Sequence, residues 1–194
     1  KYTTNTSENT EATSILGLIK TNWKTLATGL WNTIVLTVVA LIFASLIGII
    51  FGLMKTSQNN IVQAIAGFYI DIIRGVPLIV LTFFIYFGIP QAFNITMQPF
   101  VAGVITLSLN ASAYIAEIIR GGIQAVDKGQ YEACMSLGLP YSKSMQKVIL
   151  PQAIRIMVPS FINQFVITLK DTSILSIIGI AELTQAGKVI IARN

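Results

Sequence analysis

Histidine is absent from the 194 residues, and cysteine occurs once, at Cys134. An intramolecular disulfide, a zinc site of the usual Cys/His kind and a Ser-His or Cys-His catalytic pair are therefore excluded. Charge is scarce too: 13 Lys or Arg and 8 Asp or Glu make up 11% of the chain, where a soluble domain carries about 25%. No Gly-x-x-x-x-Gly-Lys-Ser/Thr phosphate loop occurs, so the chain is not expected to hydrolyse ATP. The surplus of +5 is small and scattered, which argues against a nucleic-acid partner. What fills the chain is apolar: 54% of residues are hydrophobic and the mean hydropathy is +0.72. Too little polar surface remains to cover a water-soluble globule, so a soluble enzyme is excluded and the lipid bilayer becomes the expected solvent.

The charge-free runs map the spans. No charged residue lies in the 30 positions between Lys24 and Lys55, nor in the 42 between Arg74 and Glu117. A spanning helix needs about 20 apolar residues. The first run predicts a helix from Thr28 to Met54. The second is divided by Pro90, Gln91, Asn94, Gln98 and Pro99, and predicts one helix from Ile61 to Gly88 and another from Met97 to Arg120. A polar stretch, Gly121–Lys147, precedes a fourth helix from Gln152 to Leu169. The apolar segment Ile174–Ile180 is too short to cross. Lys and Arg concentrate on the cytoplasmic side of membrane proteins. Arg120, Lys128, Lys143, Lys147 and Arg155 place the Gly121–Lys147 segment inside together with Lys55, and the basic-free turn Pro90–Pro99 outside. Lys20 and Lys24 argue weakly against this.

Residues 1–14 hold five Thr, two Ser, two Asn and two Glu. They bury no apolar area, and residues 1–20 are expected to be a flexible extracellular linker. Residues 21–194 form the expected transmembrane domain, with one further helix expected beyond Asn194.

Polar side chains inside a span are costly and face the bundle interior or a water-filled path. The third helix carries Thr106, Asn110 and Glu117 in step with Gly103 and Gly121. The fourth carries Ser160, Gln164 and Thr168 four apart, continued by Asp171 and Thr172, with Asn163 beside them. Helix-to-helix hydrogen bonding explains Ser and Thr in such rows. Gln164, Asn110 and Glu117 are candidates for a substrate path, although Glu117 pairs equally well with Arg120 or Arg74. Arg74-Gly-Val-Pro77 breaks the second helix, because proline removes a backbone hydrogen bond and disfavours helical angles in its predecessor. Transporters hold ligands or gate at such breaks, and packing kinks use the same residues. In the polar stretch, Asp127 caps a short helix that Gly138 and Pro140 terminate. A helix this short is marginal alone, so it is expected to pack against something.

That helix carries Glu132, Ala133, Cys134 and Gly138, then Met145, Val148, Leu150 and Pro151. The pattern resembles the cytoplasmic signature of ABC importer permeases, with Cys134 in place of a second Ala, Met145 in place of a frequent Phe and Val148 in place of a frequent Ile. Four further motifs flank it: Arg74-Gly-Val-Pro-Leu78, Phe84-Ile-Tyr-Phe-Gly-Ile-Pro90, Ala113-Tyr-Ile-Ala-Glu-Ile-Ile-Arg-Gly-Gly-Ile123, and Lys170-Asp-Thr-Ser173 with Ile178-Gly-Ile-Ala-Glu-Leu183. Together they are similar to the polar amino acid permeases of that class, close to the glutamine permeases, over about nine-tenths of the chain.

The resemblance implies an all-α membrane protein with a five-helix permease core and a coupling helix seated in a groove of an ATPase. Glu132, Ala133, Cys134, Leu137 and Gly138 would form that contact. It also implies two ABC ATPase subunits that bind ATP and magnesium, with no cofactor in this chain. A second permease subunit, identical or a paralogue, and a substrate-binding protein or fused upstream domain complete the expected assembly in the bacterial cytoplasmic membrane. The candidate amino acid contacts are Gln164, Asn163, Thr168, Asn110 and Glu117, with Gly75, Val76 and Leu78 at the helix break. Gln164 gives and accepts hydrogen bonds without charge, which favours an uncharged polar amino acid, glutamine above others. An ion-coupled secondary transporter or a channel is the alternative, and would not need the coupling helix.

Overall fold

The computed structural model describes residues 15–193, with side chains from residue 17. All regular structure among them is helical. Helix α1 covers Ile15–Lys55, α2 Asn60–Gly75, α3 Leu78–Phe83, α4 Ile89–Phe93 and α5 Pro99–Gln124. Helix α6 covers Lys128–Ser136, α7 Tyr141–Ser144, α8 Leu150–Asp171 and α9 Leu183–Arg193, with a 3-10 turn at Thr172–Ile178 between the last two. Three helical segments, Gly17–Lys55, Pro99–Gln124 and Tyr141–Ile178, are long and apolar enough to cross a membrane. A fourth is the bent pair Asn60–Gly75 and Leu78–Phe93, whose halves meet at 99°.

Helix α1 starts earlier than the charge pattern predicts. Residues 15–20, which composition assigns to the linker, are its first turns, and residues 1–14 lie outside the described residues. The helix is interrupted at Asn22 (φ −110°, ψ 15°), where Nδ2 donates to the Leu18 carbonyl at 3.1 Å. The single predicted second helix is two helices, because Val76 and Pro77 adopt extended angles. Two prolines further on are accommodated differently. Pro90 and Pro151 each follow a π-helical turn, at Phe84–Gly88 and Met145–Ile149. A proline ring crowds the carbonyl four residues back. The wide turn moves that carbonyl away, and the i→i+5 bonds Ile89 N–H to Phe84 O and Leu150 N–H to Met145 O keep the chain helical.

Helix α5 is the axis of the bundle, with two-thirds of its apolar window buried. Its most extensive partner is α1, and these two run parallel. The α1 contact face is Thr33, Thr37, Ala40, Ala44, Gly48 and Gly52, all buried. Lipid tails are as apolar as leucine, so helix association in a bilayer depends on close packing and hydrogen bonds, and small residues permit both. Ser108 of α5 accordingly donates to the Ala40 carbonyl at 3.2 Å. A Cβ at Gly48 would stand 2.6 Å from Ile115 Cγ2 and 2.9 Å from the Ser112 carbonyl. Helix α8 crosses α5 on another side and runs antiparallel to it: Gly122 lies against Met157 and Ala153, while Gly103 lies against Leu175. The outward faces of α1, α2 and α8 present Trp31, Ile42, Leu46, Phe68 and Ile162, all exposed. These side chains suit lipid or another apolar surface.

Helix α9 closes the fold against the first half of α1. Glu182, 1% exposed, precedes α9 and accepts from the Thr184 and Gln185 N–H groups at 2.8 and 2.7 Å. These are the orphan donors of a helix start. Asn32 donates to the Ala181 carbonyl at 2.8 Å, and Thr33 Oγ1 accepts from Leu183 N–H at 3.1 Å. Gly179 (φ +82°) turns the chain into this loop.

Candidate functional site

Three groups of side chains carry the candidate chemistry: an amide-lined region at mid-height, an ionic cluster at the helix break, and the short helix α6 at the Lys55 end.

Gln164 and Thr168 are buried on the inner face of α8, 3% and 1% exposed. Gln164 Nε2 donates to Thr168 Oγ1 at 3.2 Å, and that hydroxyl donates to the Gln164 carbonyl at 2.9 Å. The amide oxygen makes no side-chain hydrogen bond among the described residues. Asn110 of α5 is buried as well, and its side chain makes no hydrogen bond to a described residue. Neither amide has a fully enclosed, unsatisfied atom, so these polar groups open onto accessible space. Gly122 packs on Met157 of α8 and Gly103 on Leu175 of the 3-10 turn that follows it, so Asn110 and Gln164 both lie between these two contacts along the chain. Asn110 also shares its helix face with Tyr114 and Glu117, one and two turns on.

The row of four-residue spacings on α8 is only partly covered within the single chain. Gln164 and Thr168 are buried, whereas Ser160 and Asn163 are exposed. The buried stripe runs instead through Ala153, Met157, Gln164 and Thr168.

Glu117 belongs to the ionic cluster. Arg120 grips it with Nη2 at 2.7 Å and Nε at 3.1 and 3.2 Å, and Arg74 Nη1 stands 3.8 Å away. Arg74 also lies 5.2 Å from the Tyr114 ring centroid, and Arg120 Nη1 donates to Gln124 Oε1 at 2.6 Å. The carboxylate thus fastens the end of α2, at the break, to α5. Its two arginines occupy it, in keeping with the pairing that its position in the sequence leaves open. Val76 and Leu78 pack against the core cluster containing Leu81, Leu107, Leu175 and Ile178. No atom lies within 4 Å of where a Cβ of Gly75 would be, so the backbone there is open.

Helix α6 begins at Asp127, whose Oδ1 accepts from Gly129 N–H at 2.7 Å. It ends in a Schellman motif: Leu139 N–H bonds to the Cys134 carbonyl at 3.0 Å and Gly138 N–H to the Met135 carbonyl at 2.9 Å, with Gly138 at φ +69°. Glu132, Ala133, Met135, Leu137 and Gly138 are exposed, Leu137 by 79%. Cys134 points the other way and is buried. Among the five residues expected to meet an ATPase, Cys134 faces the chain's own bundle, because its position is one third of a turn from Met135. Met135, outside that expected set, is exposed as Leu137 is.

Comparison with known proteins agrees with this geometry. Residues 44–190 match the family described as binding-protein-dependent transport system inner membrane component. The chain is 43% identical over 163 residues to the glutamine transport system permease protein of Escherichia coli K12, covering 84% of this chain and 74% of that one. It is 41% identical over 172 residues to the L-cystine transport system permease protein of Bacillus subtilis, covering 89% and 73%. It is 40% identical over 157 residues to the arginine transport system permease protein of the same organism, covering 81% and 72%. A crystal structure described as an amino acid ABC transporter with histidines superposes with a TM-score of 0.87 at 41% identity, covering 92% of this chain and 83% of that one. The inward-facing methionine ABC transporter MetNI shares the fold, with a TM-score of 0.71 at 21% identity over 85% and 79%. The chain belongs to the binding-protein-dependent transport system inner membrane components, the permease subunits of ABC importers.

Proposed function

We propose that this chain is the transmembrane subunit of an ATP-driven importer that carries a polar amino acid, glutamine first, across a bacterial cytoplasmic membrane. The observation that carries this reading is two buried, uncharged amides, Asn110 of α5 and Gln164 of α8, each with unused hydrogen-bonding capacity. An amide side chain complements an amide: each gives and accepts one bond. A cationic solute would favour a free carboxylate there, and Glu117 is taken by two arginines. The glutamine permease of E. coli is among the relatives, while the cystine and arginine permeases keep other polar amino acids in view.

In this reading the solute meets Asn110, Gln164 and Thr168, with the open backbone at Gly75 and the apolar Val76 and Leu78 along the break. Asn163, exposed on α8 in the single chain, is a further solute contact in this reading, reached where two permease subunits meet. ATP and magnesium are bound by separate ATPase subunits, docked on Glu132, Ala133, Met135, Leu137 and Gly138. Their closure moves α6 and switches the bundle between inward- and outward-facing states. A substrate-binding protein or an upstream domain delivers the solute.

The test is ATPase activity of the purified complex in lipid, with candidate amino acids added alongside their binding protein. The expected result is stimulation by glutamine, reduced in Gln164→Ala while the ATPase subunits stay bound. Unchanged uptake in that variant removes Gln164 from the site. A complex without ATPase, moving solute down an ion gradient, would replace this reading with the secondary transporter.

A further inference from the structure

Helix α2 leaves one side uncovered. Ala66, Gly67 and Ile70 are buried. Ile61, Ile65, Phe68 and Ile72 are exposed at spacings of four, three and four residues, which is a single stripe. Asp71, one turn on from Phe68, is exposed as well. Its carboxylate makes no hydrogen bond or ion pair to a described residue.

The depth of Asp71 makes this costly. Tyr69 stacks on Phe51 with ring centroids 3.9 Å apart, and shares a 2.6 Å hydrogen bond with Ser112, whose carbonyl lies against Gly48. Phe51 and Gly48 belong to the charge-free run of α1. Asp71 follows Tyr69 by two residues, about 3 Å along the helix away from the Lys55 end. It therefore stands at the level of a spanning helix, where a carboxylate is paired or faces water. One turn further, Arg74 is 42% exposed. Its guanidinium makes no hydrogen bond to a described residue. Glu117 is 3.8 Å from it, and Arg120 holds that carboxylate at 2.7 Å. Asp71 and Arg74 do not pair with each other. The helix thus presents an anion and a cation, both with capacity left, beside an apolar stripe. Such a surface complements itself, because in a two-fold dimer each contact occurs twice with the roles exchanged.

We propose that α2 is where a second copy of this chain packs, with Phe68 and Ile72 at the contact and Asp71 of each protomer paired with the partner's Arg74. Copies inserted in the same direction are related by an axis along the membrane normal, so both α2 helices lie at one depth. The rise from residue 71 to residue 74 is about 4.5 Å, which an arginine side chain spans. The two ion pairs leave no net charge at the contact. This inference rests on the proposed pairing of two permease subunits; it adds the surface, the residues and a preference for an identical partner.

The test is co-assembly of two charge-reversed chains, one carrying Asp71→Arg and the other Arg74→Asp, with different tags. They are co-expressed with the ATPase subunits and purified as complete complexes in nanodiscs. Each variant alone sets like charges against each other across the axis, and the two together restore both pairs. Mixed complexes should exceed each unmixed kind by about tenfold or more, against about twofold for random assembly. Pairing of Asp71 with Arg74 inside one chain would give the random ratio, because each variant carries that fault into every complex. Random proportions overturn the contact and leave the pairing of subunits standing. Complexes that hold one copy of this chain overturn both. A second measurement needs no charge reversal. In a Cys134→Ala chain, Phe68→Cys or Ile72→Cys should be joined to its equivalent by a short bismaleimide, and Trp31→Cys on α1 should not. Absence of linking at both α2 positions, or equal linking at position 31, overturns the contact. Rapid labelling of the unlinked α2 positions by a water-borne maleimide would make this side of α2 the wall of a water-filled path instead.

Discussion

Replacing Gly48 by alanine tests the packing argument on which the bundle rests. The added Cβ would stand 2.6 and 2.8 Å from Ile115 Cγ2 and Cβ, and 2.9 Å from the Ser112 carbonyl. Carbon atoms rest at about 3.5–4.0 Å, so α1 and α5 must part by about 1 Å. Neither obstacle can swing aside, since one is a β-branched side chain and the other is backbone. Overpacking of this kind costs about 1–3 kcal/mol. Alanine returns about 0.5–1 kcal/mol through its better helix propensity, leaving a net loss of about 0–2.5 kcal/mol. Gly121 of α5 is the control: no atom lies within 4 Å of its would-be Cβ, so Gly121→Ala keeps only the propensity gain. Gly122→Ala should fall between, because its obstacle is the flexible side chain of Met157. The assay is unfolding in mixed micelles followed by circular dichroism. Equal midpoints for Gly48→Ala and Gly121→Ala, or a more stable Gly48→Ala, would refute close α1–α5 contact.

Glu182→Ala should cost about 0.5–2 kcal/mol by removing the cap from two partly buried donors, seen as faster proteolysis between Gly179 and α9, with Glu182→Gln milder. A double-mutant cycle between Arg74→Gln and Glu117→Gln should give a coupling of only about 0.5–1 kcal/mol, since Arg74 is 42% exposed and its bond is long; a coupling above about 2 kcal/mol would mean that the cluster is drier than described. Gly138→Asp places a side chain at φ +69° and should unseat the ATPase subunits in co-purification while leaving solute preference in the remaining transport unchanged. An altered preference would refute the separation of motor contact from solute site.

Much of this fold was legible because membrane solvent writes large signals. Charge-free runs located the spans, Pro77 located the break, and Asp127 with Gly138 located both ends of α6. Boundaries failed where the signal was local geometry. The turns of α1 before Asn22 look like linker by composition, since Lys20 and Thr21 dilute the pattern. The site was legible in residue type rather than in facing. Gln164 and Asn110 stand out as amides within apolar helices. That Gln164 is buried while Ser160 and Asn163 are exposed, and that Cys134 turns inward, depends on which faces the neighbouring helices cover. Glu182 escaped as a cap because glutamate is not a favoured residue at that position. The role of Ala40, Ala44, Gly48 and Gly52 became visible only with α5 against them.

The chain's one thiol, Cys134, lies on the inner side of α6, 4% exposed. A water-borne thiol reagent reaches it only when α6 lifts from the bundle, and the rest of the chain offers no competing sulfhydryl. Under the proposed function, α6 therefore contains its own displacement gauge. The labelling rate of the unaltered protein would then measure how often that helix lifts from the membrane domain, and comparing the rate with and without nucleotide would measure the stroke.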